Sequence, residues 1–201
     1  MGAHETPTRP GDAARSRTAH DLAGPLIWQR TDTVGTELVF PGPGGRTAAG
    51  TAVIGGTGPH SVRWTVALDD ASGVRALTVT CESSQFHRTL ELAREDDGAV
   101  VFHTGDDAPT RLEGIDVVRV TDSPMFLTWA LRRLRLSPAA GAVPARTARV
   151  LLPSLTVATG STTYQLVSDQ RLRIGGDEAG ATFDLDAAGI VAYRPGRLRL
   201  A

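Results

Sequence analysis

Hydrophobic and polar residues alternate strictly through most of the chain after residue 24. In "HSVRWTVALDD", Val62, Trp64 and Val66 fall on one face, and Arg63 and Thr65 fall on the other. The segments "VRALTVTCE" and "FHRTLELAR" repeat this pattern. An alternation of period two with one polar face is typical of antiparallel strands that cover a core on one side only.

Turn sequences rich in glycine and aspartate separate the alternating runs. "PGPGG", "GGTG", "DDASG", "EDDG" and "TGDDAP" supply positive φ angles and local side-chain hydrogen bonds. "FDLDAAGIVAY" predicts a further hairpin near the end of the chain. Because no regular alternation of strands with long helices is present, the pattern predicts an all-β, mostly antiparallel sheet of roughly twelve strands with little helix.

The stretch "DSPMFLTWALRRLRL" does not follow the alternation. It begins with a turn signal at Ser123 and Pro124, and Leu127, Leu131 and Leu134 then have the spacing of one helical face. Taken alone, the stretch is therefore compatible with a helix.

Composition and charge exclude several classes of protein. The 201 residues are 41% hydrophobic with a formal net charge of -1, which favours one domain, residues 25–201, after a polar leader, residues 1–24. The balanced charge predicts no nucleic-acid partner, and no apolar run approaches membrane-spanning length. The lone Cys81 excludes an intrachain disulfide and favours a reducing, cytoplasmic location. No feature indicates an oligomeric state.

Catalytic and metal-binding patterns are not recognisable. The glycine clusters lack the Gly-Lys-Ser/Thr ending of a phosphate loop, and "ESSQFH" lacks the strand-turn-helix context of a nucleophile elbow. The five histidines have no metal-ligand spacing. We therefore predict no cofactor, no metal and no catalytic residue from motifs.

Two functional classes stay compatible with the sequence, besides the binding protein considered below. Glu37, Glu113 and Asp116, together with an arginine in a cleft, are compatible with an enzyme of unknown reaction. A structural or interaction protein that pairs through its sheet edges is the other alternative.

An excess of positive charge lies in the second half of the chain. No Asp or Glu occurs from Ser123 to Ser168, whereas Arg132 and Arg133 lie within this range. Arginine binds phosphate or carboxylate through a planar pair of donors, so an anionic headgroup is possible here. Because all 21 basic residues are arginine, an ordinary polar surface is the alternative.

The order of motifs resembles the bacterial family named "putative glycolipid-binding". Its N-terminal signature matches Trp28, Arg30, Gly35 and Glu37 in "WQRTDTVGTEL", its middle strand matches "RWTVALDD", its central motif matches "SPMFLTWALRRL", and its C-terminal close matches "YRPGRLR". Two departures fall in the central motif: Leu127 replaces the family's asparagine, and Ala130 replaces its second proline.

The resemblance implies a sheet rolled into a spiral β-roll or incomplete barrel whose concave face holds an acyl chain. It implies a non-catalytic protein that binds an amphipathic ligand such as a lipid or glycolipid. The predicted ligand contacts are Trp64, Leu77, Val79, Phe86, Asp116, Arg132 and Arg133, although ordinary core packing is the favoured alternative for each apolar one.

The family resemblance predicts a different structure for the stretch that begins at Asp122. It becomes a turn at Ser123 and Pro124, then an extended crossing segment, then a strand that carries Arg132 and Arg133. This extended structure, rather than a helix, is the prediction for the stretch.

Overall fold

A computed structural model describes residues 24–176 and 180–201, so the predicted leader lies outside the described residues apart from Gly24. The strands are β1 Leu26–Arg30, β2 Gly35–Pro41, β3 Thr47–Ile54, β4 His60–Leu68, β5 Val74–Glu82, β6 His87–Arg94, β7 Val100–Thr104, β8 Thr110–Leu112, β9 Val117–Val120, β10 Ala142–Leu151, β11 Thr156–Ser168, β12 Arg171–Gly176, β13 Ala181–Leu185, β14 Val191–Arg194 and β15 Leu198–Leu200. The α-helix is α1 Pro124–Arg133, and short 3-10 turns cover Pro43–Gly45 and Pro138–Ala140.

All fifteen described strands belong to one sheet. Their order is β8-β7-β6-β5-β4-β3-β2-β1-β15-β14-β13-β12-β11-β10-β9, and every pair is antiparallel except β9 with β10. The all-β, mostly antiparallel prediction is confirmed. The number exceeds roughly twelve because strands such as Thr110–Leu112 and Leu198–Leu200 have only three residues, too few for a recognisable alternation.

The sheet is rolled so that its two ends approach each other. Arg88 on β6 donates a hydrogen bond of 3.3 Å to the carbonyl of Pro153, which follows β10. Arg94 on β6 donates one of 2.8 Å to the carbonyl of Ile115, which precedes β9. Strands near opposite edges therefore meet, although β8 and β9 do not pair and the roll is not closed. This confirms the predicted roll.

The alternation places side chains as the sequence predicts. On β4, Val62, Trp64 and Val66 are buried, whereas Arg63 and Thr65 are exposed. The predicted hairpin near the C-terminus is also present, with β13 paired to β14. The buried side chains form a core on the inner face of the roll.

Helix α1 fills the inside of the roll. Met125 and Phe126 are completely buried, and Trp129 is 2% exposed. The rings of Phe126 and Trp129 contact Trp64 edge-to-face at centroid distances of 5.1 and 5.8 Å. Such pairs stabilise by about 0.5–1.5 kcal/mol beyond the area they bury. The inner face of β4 is therefore covered by the helix.

The extended structure predicted for the stretch after Asp122 is wrong, because residues 124–133 form α1. Ser123 is the N-cap residue, and Pro124 occupies the first turn, where its missing N–H costs no hydrogen bond. Ala130 allows the helix to continue, whereas a proline there would remove a donor and clash with the preceding turn. The leucine spacing, read alone, indicates the correct structure.

The edges of the sheet are short or covered. All four residues of β9 are buried, and α1 packs on this strand. At the other edge, β8 has three residues. Both features are common protection against edge-to-edge association. Within the part of the chain that the structure describes, no helix is long and apolar enough to span a membrane.

Gly50 creates the space that the Trp64 ring occupies. The two residues are register partners on β3 and β4. A Cβ atom added at Gly50 would lie 2.2 Å from two carbon atoms of the Trp64 ring, which is far inside van der Waals contact. Because Trp64 is held by Phe126 and Trp129, its ring cannot easily move away.

We therefore expect Gly50→Ala to lower the free energy of unfolding by about 1–3 kcal/mol, as overpacking of a core does. Urea denaturation measures this change. Gly175→Ala is the matched control, because Gly175 also lies in a strand but a Cβ atom added there would meet no other atom within 4 Å. It should leave stability unchanged or raise it by up to about 1 kcal/mol. Equal effects of both substitutions would contradict this account of Gly50.

Candidate functional site

Glu37 is a buried carboxyl group that joins three distant segments. It lies on the inner face of β2 and is 6% exposed. Its Oε1 accepts a hydrogen bond of 3.0 Å from Trp64 Nε1 and one of 2.7 Å from Ser123 Oγ. Its Oε2 is buried and has no hydrogen-bond partner among the described residues. The Oε1 atom therefore links segments of the fold, and the Oε2 atom is available to accept a further hydrogen bond.

Burial dominates the acid–base behaviour of Glu37. Removal from water raises its pKa from the usual 4.5 to about 7, although the hydrogen bonds from Ser123 and Trp64 and the charge of Arg30 oppose this shift. The carboxyl group can therefore take up and release a proton near neutral pH. This property is often found at functional sites and is uncommon in a structural carboxylate.

A small cavity of about 20 Å³ borders Glu37, and we call it the Glu37 cavity. Besides Glu37, the residues that line it are Trp28, Arg30, Thr36, Ala52, Ile54, Val62, Trp64, Val120, Thr121, Asp122, Ser123, Pro124, Leu152 and Leu198. A buried water needs at least about 10–15 Å³, so the enclosed space suits one or two water molecules. Most of the wall is apolar.

Ion pairs organise the polar side of this cavity. Arg30 binds Asp32 at 3.0 Å and lies 3.6 Å from Asp122, while Arg197 also binds Asp32 at 2.9 Å. Burial alone would lower the pKa of Arg30, but the hydrogen bond to Asp32 and the charge of Asp122 raise it. The hydrogen bond from Arg30 likewise lowers the pKa of Asp32 against the effect of burial. Arg30 and Asp32 therefore stay charged at neutral pH.

A second cavity, of about 30 Å³, adjoins the first, and we call it the arginine cavity. The residues that line it are Arg30, Arg119, Asp122, Ser123, Pro124, Leu127, Phe183, Arg194, Arg197 and Leu198. Half of these also line the Glu37 cavity: Arg30, Asp122, Ser123, Pro124 and Leu198. The two cavities are therefore parts of one site, with an apolar side and a cationic side.

The apolar residues predicted to contact a ligand lie mainly in the core. Trp64 lines the Glu37 cavity, but Leu77 and Val79 are 2% and 0% exposed within the packed interior. Phe86 is half-buried beneath the guanidinium of Arg88, 4.3 Å from its ring centroid. At these positions the inner face is packed, and the expected open concavity for an acyl chain is not present there. A ligand contact by these residues stays a prediction.

The predicted polar contacts do not line the Glu37 cavity, as Trp64 does. Arg132 and Arg133 lie in the last turn of α1, whereas the two cavities border its first turn. Arg133 pairs with Asp69 at 3.4 Å, and burial lowers the pKa of Arg132. Asp116 is exposed and accepts a hydrogen bond from the backbone N–H of Arg146. The seven predicted contacts therefore do not share one surface, and their role as ligand contacts stays untested.

The segments that carry the family resemblance do meet at the cavities. The N-terminal signature contributes Arg30 and Glu37, the central motif contributes Ser123, and the C-terminal close contributes Arg194 and Arg197. The site prediction did not include Arg194 and Arg197, because alternation indicates which residues face inward but not which distant strands meet. Both arginines lie in the C-terminal motif that matches the family, and this match is the signal that could have identified them.

Leu127 lies where this chain departs from the family's asparagine. It is 3% exposed and lines the arginine cavity. An asparagine there would offer a donor and an acceptor to a ligand, whereas leucine supplies an apolar wall. Ala130, the other departure, is buried in a second cluster of the core and does not itself line either cavity.

No metal site is formed by the described residues: residues 24–176 and 180–201 contain no group of three His, Cys, Asp or Glu side chains suited to hold an ion. The side chains of the two cavities are the groups whose chemistry can be described. It combines guanidinium donors with one carboxyl group that can exchange a proton near neutral pH.

The raised pKa of Glu37 predicts a pH-dependent stability. The folded chain holds a proton that the unfolded chain releases between pH 4.5 and about 7, so the free energy of unfolding should fall by about 3 kcal/mol as the pH rises through this range. Glu37→Gln keeps the accepting oxygen for Trp64 and Ser123 but cannot ionise. We expect the variant to lose this fall and to be more stable than wild type at pH 8.

Urea denaturation at several pH values measures this difference, and subtraction of the two profiles removes the contribution of other titrating groups. Asp96→Asn is the control, because Asp96 is an exposed residue in the turn after β6. It should leave the profile unchanged. Parallel profiles for wild type and Glu37→Gln would show that Glu37 ionises normally.

Comparison with known proteins identifies the family. No curated protein matches the chain. The crystal structure of a DUF1089 family protein from Pseudomonas aeruginosa is similar, with a TM-score of 0.62, 18% sequence identity, and coverage of 87% of this chain and 90% of that chain. At this identity the likeness concerns the fold. A family model described as "Putative glycolipid-binding" matches residues 25–199, and the chain therefore belongs to that family.

Proposed function

We propose that this protein binds an amphipathic ligand, such as a lipid or glycolipid, at the paired cavities beside the first turn of α1. One observation carries the proposal: an apolar-walled cavity and an arginine-lined cavity adjoin and share five residues. A ligand with an apolar part and a polar part is the natural complement of such a site. The family description agrees with this class of ligand.

The proposed ligand binds by its head and not by a whole acyl chain. The cavities enclose about 20 and 30 Å³, which is too little for a chain of many carbon atoms. The inside of the roll, where a chain would otherwise lie, is filled by Phe126 and Trp129. Only one polar group of the head, such as a hydroxyl or a phosphate, and the carbon atoms next to it would enter the cavities, and the rest of the ligand would stay outside the roll.

Glu37 and the half-buried side chains at the cavity wall have distinct roles in this proposal. Ile54 and Leu152 are partly buried residues that would contact the apolar part. The Oε2 atom of Glu37 would receive a hydrogen bond from the ligand, such as one from a sugar hydroxyl. A buried polar atom without a partner is costly, so a ligand that satisfies it gains affinity.

Substitution on the two faces of β3 tests the proposal. Ile54 lines the Glu37 cavity, whereas its neighbour Val53 is 55% exposed on the other face. We expect wild type to bind monomeric octyl glucoside or monomeric dihexanoylphosphatidylglycerol in isothermal titration calorimetry. Ile54→Gln should weaken binding by about tenfold through lost apolar contact, and Val53→Gln should change it less than about twofold.

Near-ultraviolet circular dichroism of both variants separates a local effect from unfolding. Failure of wild type to bind either amphiphile would reject the proposal. Equal weakening by Ile54→Gln and Val53→Gln, with both variants folded, would place the ligand elsewhere.

An enzyme is the second candidate, and the pKa of Glu37 favours it. A carboxyl group with a pKa of about 7 is suited to transfer a proton at neutral pH, and Arg30 lies at the same cavity. The other two candidate carboxylates do not join it: Glu113 is exposed and pairs with Arg111, and Asp116 is exposed as well. Any proton transfer would therefore depend on Glu37.

Mass spectrometry of the same two amphiphiles after prolonged incubation distinguishes an enzyme from a binding protein. A product formed with wild type but not with Glu37→Gln would support catalysis. Complete recovery of ligand whose binding has been demonstrated would favour binding alone.

A further inference from the structure

We propose that the arginine cavity is a binding site for a phosphate-type oxyanion, held by the guanidinium groups of Arg30, Arg119, Arg194 and Arg197. The inference rests on the proposed function insofar as it names the chemistry of the ligand's polar head. The same oxyanion can belong to a lipid headgroup or to a soluble phosphate ester, and the experiments below separate these sources.

The lining of the arginine cavity is strongly cationic. Four arginines line it, and Asp122 is the acidic residue among the lining side chains. Asp122 lies 3.6 Å from Arg30, and Asp32 binds both Arg30 and Arg197. These two acids therefore form their ion pairs with Arg30 and Arg197. Neither of them pairs with Arg194, whose guanidinium could bind an incoming anion.

Arg194 contributes a half-buried cation to the wall of the cavity. Its guanidinium lies over the Phe183 ring at 5.2 Å from the centroid. It forms no salt bridge with any carboxylate of the described residues. Burial, together with the like charges of Arg197 and Arg119, lowers its pKa against the opposing influence of Asp122 and Asp32. An oxyanion in the cavity would relieve this repulsion and accept the guanidinium hydrogen bonds.

Shape and backbone polarity favour a compact oxyanion. The cavity of about 30 Å³ is equivalent to two or three water molecules, which is close to the size of one tetrahedral oxyanion. Ser123 and Pro124, at the N-terminus of the ten-residue α1, border it, and this end carries about half a positive charge. The Ser123 side chain donates to Glu37 and does not cap the helix. Arginine forks match phosphate oxygens in pairs.

The first experiment uses inorganic phosphate and glycerol 3-phosphate. Titration of the full chain, followed by nitrogen-15 NMR of the arginine Nε–H groups, should give saturable shifts at Arg194 and Arg197. We expect Arg194→Gln to weaken phosphate binding by at least about tenfold, the loss of one charge-assisted pair. Arg194→Lys, which keeps the charge but not the fork, should show an intermediate loss.

Arg199→Gln is the matched control. Arg199 follows Leu198 on β15, and because Leu198 lines the cavity, Arg199 points to the opposite side of the sheet. It donates to Gln29 there. Its substitution removes the same charge from the neighbouring strand and should change phosphate affinity less than about twofold, since the separated charge is screened.

A second variant distinguishes a loss of binding from a loss of folding. Arg194 stacks on Phe183, so its loss can disturb packing, whereas the Arg197 side chain is 49% exposed and can be replaced with little structural effect. Arg197→Gln should also weaken phosphate binding, by several-fold. No saturable binding by wild type, or binding that neither Arg194→Gln nor Arg197→Gln weakens, would overturn the inference.

Vesicles separate the two sources of the oxyanion. We would compare vesicles of phosphatidylcholine alone with vesicles that also contain phosphatidic acid. Co-sedimentation that requires phosphatidic acid and is lost in Arg194→Gln supports the site with a lipid headgroup as its ligand. Phosphate binding that depends on Arg194 without any vesicle binding supports the site with a soluble phosphate ester.

The inference and the proposed function can fail separately. If phosphate binding depends on Arg194 but no amphiphile binds, the oxyanion site stands and the amphipathic ligand does not. If dihexanoylphosphatidylglycerol binding depends on Ile54 but neither Arg194→Gln nor Arg197→Gln weakens the binding of this lipid or of phosphate, the proposed function stands and the oxyanion site is rejected.

Discussion

A single-layered sheet must cover its apolar face, and this constraint governs the whole fold. Fifteen strands form one layer with no second sheet to pack against among the described residues. The sheet covers its apolar face by curling around α1, whose residues 124–131 are all buried. A helix that is apolar on all sides is stable only in such a position. The contact of Phe126 and Trp129 with Trp64 is therefore the interaction on which the roll depends.

The insertion of α1 also determines where the candidate site lies. The first turn of the helix meets β1, β2 and the C-terminal hairpin, and Ser123 is held there by Glu37. A carboxyl group at this depth is expensive, and its raised pKa is the measure of that cost. A glutamine could accept the same two hydrogen bonds without the penalty. Retention of a titratable group at such a position is more easily explained by function than by stability.

Sequence patterns predict local structure here far better than they predict the site. Alternation identifies β4 and β5 because each buries one face only. The prediction for residues 124–133 fails because it follows the family resemblance and sets aside the helical spacing of Leu127, Leu131 and Leu134. The Glu37–Ser123 contact spans 86 positions of sequence, and no periodicity encodes which strand ends meet after rolling. Arg194 and Arg197 are therefore absent from the site prediction, although the motif that contains them is recognisable.

The replacement of the family's asparagine by Leu127 bears on what this chain recognises. Leu127 lies between the apolar core and the arginine cavity, so that wall cannot exchange hydrogen bonds with a ligand. In the proposed site, recognition of a polar head would then depend on the arginines and on Glu37. Guanidinium groups distinguish ligands by charge and by the geometry of paired oxygens, whereas an amide distinguishes hydroxyl groups as well. If the arginine cavity binds a headgroup, this substitution therefore leaves charge as its main means of distinguishing one headgroup from another, and hydroxyl recognition would depend on Glu37.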